Sequence, residues 1–451
     1  MEMKLEKRYG LITAIAMVVG IVIGSGVFFK AEKILNATGG DLPLGILAWI
    51  IGGVIMVSCA YTFAVMATKY EKVNGVVDYA EAALGNKYGY YVGWFMATVY
   101  YPNLTGVLAW ISARYTCVLL GWDITGGPCM VIAGFFLIGS YALNALSPIL
   151  SGKFQVTTTV IKLVPLLLMA VVGTIVGMRS GMTAYNFTHV VSQSGNTATL
   201  LFTSVVATAF AYEGWIIATS INSELKDSKR NLPRALLFGT LIIMAVYILY
   251  YVGLAGAVSN ETMMAGGEDG AKLAFETVFS KAAGTLIFVI IVISCLGTLN
   301  GLMLGCTRGM YSLAVRKQGP RPDLFGSVDK ATNMPSNSAI FGVLLCGGWL
   351  LYFYGANLAA EKSWFGAFSF DTSELPIVTL YAMYIPIFIM MMKKETTLSR
   401  FKRFVMPSAA LCGCVFMMIA TCFAHRQAVI YYLIVFAVIM ALGRFYARKS
   451  S

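Results

Sequence analysis

Charge is scarce in this chain, and histidine scarcer still. Only 12% of the 451 residues are Asp, Glu, Lys or Arg, and His occurs twice. That is about half the charged share of an ordinary soluble protein. With 58% of residues hydrophobic, a single water-solvated core is excluded, because it cannot hide so much apolar surface. His189 and His425 stand far apart in sequence with no carboxylate or cysteine neighbour, so both read as structural or solvated residues of loops. No metal site and no cofactor is expected. The motifs H-E-x-x-H, G-x-S-x-G and G-x-x-x-x-G-K-[ST] are missing, as is an aspartate pair within an apolar stretch, and no enzyme chemistry is left to assign. The nine cysteines fit neither a zinc nor a redox frame and read as small packing residues. No Pro/Gly/Ser-rich linker divides the chain, so one membrane domain over residues 1–451 is expected.

What is present is long apolar runs. Stretches of about 18 or more mostly apolar residues predict an all-α polytopic protein with about twelve spans, at 10–34, 44–68, 92–120, 127–148, 154–178, 198–222, 233–257, 283–314, 338–355, 374–392, 404–424 and 428–446. The first run is too long for the apolar part of a signal peptide and lacks an A-x-A site, so it reads as the first span. Lysine and arginine alternate across the predicted loops. One side holds Lys7, Arg8, Lys69, Lys72, Lys87, Lys153, Lys226, Lys229, Arg230, Arg316, Lys317, Arg321, Lys393, Lys394, Arg400 and the C-terminal Arg444, Arg448 and Lys449. The other holds Arg179, Lys272, Lys281, Lys362 and Arg426. The positive-inside rule then puts both termini in the cytoplasm of a cell-membrane protein. The net charge of +12 follows from that topology, and no nucleic-acid partner is needed to explain it.

Two polar interruptions break the apolar pattern. The first span reads "GIVIGSGVFF", with Gly24-Ser25-Gly26 at its centre. Such a triplet permits a helix to unwind and bares its backbone; small residues also serve close helix packing, and the motif alone fits both. The sixth span reads "FAYEGW", which places Glu213 and Gly214 at bilayer depth. A carboxyl there costs about 2.5–3.5 kcal/mol on insertion scales and must face a cavity or a partner. Two interruptions five spans apart match an inverted repeat of five plus five helices with a ligand site at its centre.

These stretches, with "INSELKDSKRNLPRAL" after the sixth span and "SCLGTLNGLMLGCTRGMYSLAVRKQGPRPDLF" around the end of the eighth, resemble the amino acid–polyamine–organocation superfamily. The closest resemblance is to its L-amino-acid transporter branch, including bacterial serine/threonine exchangers. It runs from about Lys7 to Phe325. It implies a LeuT-like fold with broken first and sixth helices, repeats at about 10–178 and 198–392, and two appended helices at about 404–446. It also implies an L-amino acid substrate. Ser25 and Gly26 match the hydroxyl and amide that hold the substrate carboxylate, with Gly24 permitting the turn, at a half-helix start whose N–H groups favour an anion. The carbonyls of Val22, Phe210 and Glu213 would take the ammonium, beside Gly214. Phe210 matches the aromatic that closes over substrate, its plain alternative being a packing ring.

Lys162, alone in "TTTVIKLVPLLL", matches a fifth-helix lysine that stands where sodium-coupled relatives bind a cation; snorkelling is the plain alternative. With Thr298 and Asn300 of the eighth span as its candidate partners, it implies sodium-independent transport. Glu213 admits two roles, as a brace for unwound backbone or as a proton-coupling or cation-selecting group. Arg114 and Arg308 read as span-end residues that reach head groups or loop carbonyls, "ELKDSKRNLPRAL" as a solvated exit paired locally, and the N-F-T at Asn186 as a chance sequon. Around Asn74 and Asp78 the text departs from the superfamily pattern, so the inner gate is expected to differ. The expected function is exchange of small neutral amino acids, with proton symport as the alternative and a channel or sensor as the reading from another class. No obligatory partner subunit is expected.

Overall fold

The computed structural model describes residues 7–24, 26–70, 74–192, 196–266, 270–359 and 363–449; Ser25 lies outside the described residues. Among these, eleven helices are long and apolar enough to span a membrane. A twelfth, 86–120, is helical throughout but passes through a π turn at Met96–Tyr100. The spans are α1a (Leu11–Val22) and α1b (Gly26–Ala37), α2 (Leu42–Ala67), α3 (86–120), α4 (Gly127–Leu146), α5 (Pro148–Ser180), α6a (Thr197–Ala211) and α6b (Trp215–Glu224), and α7 (Ser228–Ala257). They continue with α8 (Lys281–Ala314), α9 (Ser336–Asn357), α10 (Leu375–Lys394), α11 (Phe401–Ala424) and α12 (Arg426–Lys449).

Local chemistry sets these limits. Asp41 caps α2 by accepting from the Leu44 N–H at 2.9 Å, with Pro43 in the first turn, where its missing N–H costs nothing. Ser147 does the same for α5 through Leu150, with Pro148 at its start. For that reason α5 begins at 148 and not near 154. Gly121, in the left-handed region at φ 67°, ends α3.

α7 packs along α2 and α1a, α8 along α3, α5 and α9, and α6a along α1b, while α10 pairs with α11. Large apolar side chains such as Val131, Phe135, Ile138, Leu344 and Leu433 are exposed. On helices of this length they belong against lipid. The first and last described residues lie on one face: Tyr446 packs near Leu313 at the end of α8, and the amides of Arg8 and Tyr9 donate to the Glu224 carbonyl at 2.8 and 3.0 Å. We call this the terminal face and its opposite the far face.

Candidate substrate site

Both predicted interruptions exist. α1 leaves helical geometry at Ile23, whose ψ is 92°, and resumes at Gly26. α6 stops at Ala211 and restarts at Trp215 as a 3-10 helix, after Gly214 at φ 102°. That dihedral lies where glycine alone is comfortable. The two breaks are pressed together. A Cβ on Gly26 would stand 2.8 Å from the Ala211 Cα, one on Gly214 2.8 Å from the Ile21 Cγ2, and one on Gly24 2.6 Å from the Thr298 Oγ1. The glycines thus serve close approach as well as unwinding. Tyr247 of α7 donates its hydroxyl towards the carbonyls of Val22 and Ala211, each at 3.0 Å, tying the broken ends to each other. The Val22 carbonyl is therefore already engaged, and an ammonium there has to share it.

Between the breaks lies a cavity with about 30 Å³ of room for water-sized occupants. Val22, Gly24, Gly26, Phe210, Glu213, Gly214 and Thr298 all line it. Its remaining wall is apolar: Ile21 from α1a, Leu104 and Leu108 from α3 and Leu302 from α8. None of these leucines is marked in the sequence, because a leucine in an apolar span carries no signal of what it faces. Among the described residues, α10 contributes no lining residue and stands behind the wall. Tyr381 of α10 and Tyr100 of α3 both donate to the Glu213 carboxylate, as does the Gly214 amide. Glu213 is thus braced on two tyrosines and the unwound backbone.

Lys162 is fully buried and donates to the Gly20 carbonyl at 2.7 Å, the Ser294 carbonyl at 3.0 Å and the Thr298 hydroxyl at 3.2 Å. Snorkelling is ruled out by that burial. The Thr298 hydroxyl also lies 3.1 Å from the Gly20 carbonyl and 3.3 Å from that of Ile23. Asn300 is not part of this cluster. Its side chain bonds to Asn144 at 2.9 Å and to Gln155 at 3.2 Å, and Gln155 lies about two turns along α5 from Lys162.

The cavity is closed on the terminal face. Besides the Arg8 and Tyr9 amides, the Lys226 amide donates to the Tyr9 carbonyl at 2.9 Å. Arg308 grips the Glu224 carboxylate through Nε at 2.5 Å and Nη2 at 2.9 Å, both side chains being 1% exposed. This corrects two expectations: Arg308 reaches no head group, and within "ELKDSKRNLPRAL" Glu224 is buried and paired with α8, while Lys226, Asp227, Lys229 and Arg230 are exposed. Asp78 and Glu81 both meet Arg316 on the same face, in the segment where the sequence departs from the superfamily pattern.

Towards the far face the cavity ends at Phe210, which is half-buried. Beyond its ring lies a second cavity of about 150 Å³, lined by Phe210, Lys30, Lys33, Trp110, Arg114 and Asp371. Arg114 stacks over Trp110 at 5.1 Å and does not reach for head groups. His425 is also unlike its expectation: its Nε2 lies 2.8 Å from Glu374, a carboxylate brought near from another span. Asn186 is buried and donates to the Ala255 and Val258 carbonyls at 2.6 and 2.9 Å, so the folded chain offers no sequon there.

Comparison with known proteins agrees with this architecture. The chain is 31% identical over 341 residues to the serine/threonine exchanger SteT of Bacillus subtilis, covering 76% of each protein. It is 24% identical over 387 residues to the human large neutral amino acids transporter small subunit 2, covering 79% of this chain and 69% of the relative. It is 21% identical to the human cystine/glutamate transporter, over 75% of this chain and 67% of the relative. The crystal structure of MhsT in complex with L-phenylalanine superposes with a TM-score of 0.61 at 13% identity, covering 94% of this chain and all of the other; this shows a shared LeuT-like fold. A family model described as amino acid permease matches residues 9–443, and the chain belongs to that family of membrane transporters, not to a family of enzymes.

Proposed function

We propose that the protein is a sodium-independent secondary carrier that exchanges small neutral L-amino acids by alternating access. The observation that carries this reading is the pair of opposed helix breaks lining one cavity at the centre of the bundle. The α1b half-helix starts at Gly26, so its first N–H groups and positive dipole end suit the substrate carboxylate. Carbonyls at the end of α1a and around Phe210 and Glu213 suit the ammonium. Leu104, Leu108 and Leu302 would surround the side chain, a setting in which a charged group is heavily penalised. Glu213 supports a neutral substrate too, because its carboxylate is committed to tyrosine hydroxyls and the Gly214 amide. The Lys162 ammonium stands where a sodium ion would otherwise join α1a to α8, which supports sodium independence.

In this reading the terminal face is cytoplasmic, in a cell membrane, and the far face extracellular. The two five-span repeats run over about 10–178 and 198–392, with 404–446 appended, and no partner subunit is required. About 30 Å³ admits roughly two waters and no amino acid, so loading requires Phe210 to swing away. The test is uptake of labelled L-serine into proteoliposomes. Uptake into amino-acid-loaded but not empty vesicles, unchanged by a pH gradient or by replacing sodium with choline, supports exchange. Uptake into empty vesicles driven by an inward proton gradient would replace exchange with symport, and unsaturable flux would replace the carrier with a channel.

A further inference from the structure

A groove of about 780 Å³ opens on the terminal face and shares no lining residue with the substrate cavity or the vestibule beyond Phe210. The α8–α9 loop forms most of its wall, with the side chains of Lys317, Arg321 and Asp323, and Tyr446 of α12 closes the other side. Lys317 and Arg321 are exposed. Among the described residues neither side chain makes a hydrogen bond or an ion pair, whereas their neighbour Arg316 is taken by Asp78 and Glu81. Both also stand in left-handed backbone, at φ 57° and 45°. Lys317 occupies the place after α8 where a helix commonly ends on glycine: its amide donates to the Ala314 carbonyl at 2.8 Å, and that of Gln318 to the Leu313 carbonyl at 3.1 Å. A residue with a side chain adopts that conformation at a cost.

The groove lies at the level of an aromatic belt. Tyr90 donates its hydroxyl to the Gly443 carbonyl at 2.7 Å and Trp94 its indole N–H to that of Ile439 at 2.9 Å, with Tyr91 and Tyr446 packed beside them. Tyr and Trp gather where hydrocarbon meets headgroups. From Tyr446 an apolar stripe leads back along α12: Val438, Leu442 and Phe445 are exposed and fall at i, i+4 and i+7 on one helix face. Unpaired cations at headgroup depth thus adjoin an apolar track.

We propose that this groove binds one anionic phospholipid of the leaflet at the terminal face, its phosphodiester between Lys317 and Arg321 and its acyl chains along Val438, Leu442 and Phe445. Arg321 suits two phosphate oxygens at once and Lys317 acts as a point charge. Two cations against the Asp323 carboxylate leave one positive charge, which matches a monoanionic diester better than a dianionic phosphate. Asp323 can also accept from a headgroup hydroxyl, so phosphatidylglycerol is the fitting chemistry. Once bound, the lipid joins the α8–α9 loop to α12. Nothing in this depends on the substrate or on the mode of transport.

The test measures binding of labelled phosphatidylglycerol and labelled phosphatidylcholine to the delipidated full-length protein in detergent. Wild type should bind phosphatidylglycerol at least tenfold more tightly than phosphatidylcholine, and Lys317→Gln/Arg321→Gln should reduce that preference to less than twofold. Lys402→Gln removes an exposed cation at the start of α11, outside the groove, and should leave the preference within twofold of wild type. Lys317→Gly should weaken the preference about fivefold, yet raise the thermal midpoint in lipid-free detergent by relieving the left-handed backbone. That variant separates loss of a ligand group from loss of fold. Inorganic phosphate at millimolar concentration should leave phosphatidylglycerol bound; displacement of half of it would reassign the groove to a soluble phosphate and overturn the proposal. An unchanged preference in the double variant, or an equal loss in Lys402→Gln, would overturn it as well.

Discussion

Replacing Lys162 by Ala or Met should slow exchange without unfolding the protein, and the size of the effect can be worked from its contacts. The ammonium bridges the Gly20 carbonyl in the last turn of α1a to the Ser294 carbonyl and Thr298 hydroxyl of α8, at 2.7, 3.0 and 3.2 Å. A hydrogen bond to a charged group contributes about 1.5–3 kcal/mol net. Ground-state burial of a lone ammonium offsets part of this, and Met removes that burial cost along with the bonds. If α1a moves relative to α8 during transport, roughly one such bond distinguishes the closed state from the state that must follow it. Its loss then slows exchange about 10- to 100-fold, at 1.36 kcal/mol per factor of ten. The assay is counterflow of labelled L-serine in proteoliposomes, normalised to incorporated protein, with size-exclusion profiles and thermal midpoints recorded in parallel. A Lys162→Ala variant that folds and exchanges at the wild-type rate would refute the reasoning.

Other expectations can be checked with the same preparation. Gly26→Val brings a side chain to 2.8 Å from the Ala211 Cα; overpacking of this kind costs about 1–3 kcal/mol, and binding of L-serine should be lost while the protein still inserts. Arg308→Gln or Glu224→Gln alone leaves a buried charge unpaired, at about 3–5 kcal/mol, whereas the double variant should lose less stability than the two single losses added, as read by thermal denaturation. The Glu374 hydrogen bond raises the pKa of His425 above its ordinary value, with burial opposing and Asp371 and Lys30 also acting on it. The charged form is therefore favoured by folding, and its contribution is complete below about pH 6.5 and lost as pH rises through the raised value. The thermal midpoint of the wild type should fall over that range relative to His425→Gln; parallel curves would contradict it.

How much of this could be read beforehand depended on whether the signal was local. Helix breaks are local: Gly24-Ser25-Gly26 and Glu213-Gly214 announce themselves in a run of apolar residues, and the structure places both breaks beside one cavity. Span limits drifted where a helix starts ahead of the apolar run, as at Pro148, where Ser147 caps it, and at Asn86. Pairings were not local. Arg308 and Glu224 are 84 positions apart, His425 and Glu374 are 51, and Lys30 and Glu374 are 344. Periodicity says that each is polar in or near a span, not which span it faces. A lysine near a span end ordinarily snorkels, so Lys30 carries no signal of a buried partner on its own. Opposite charges at matching depth in spans one and ten were the available signal.

The central claim is that bare backbone at two helix breaks holds both charged ends of an amino acid. Competition against labelled L-serine by L-serine, its methyl ester and its N-acetyl derivative tests this most directly, since each derivative removes one end and leaves the side chain intact. The account predicts that both derivatives compete at least 100-fold more weakly than L-serine. Competition by either within threefold of L-serine would contradict it.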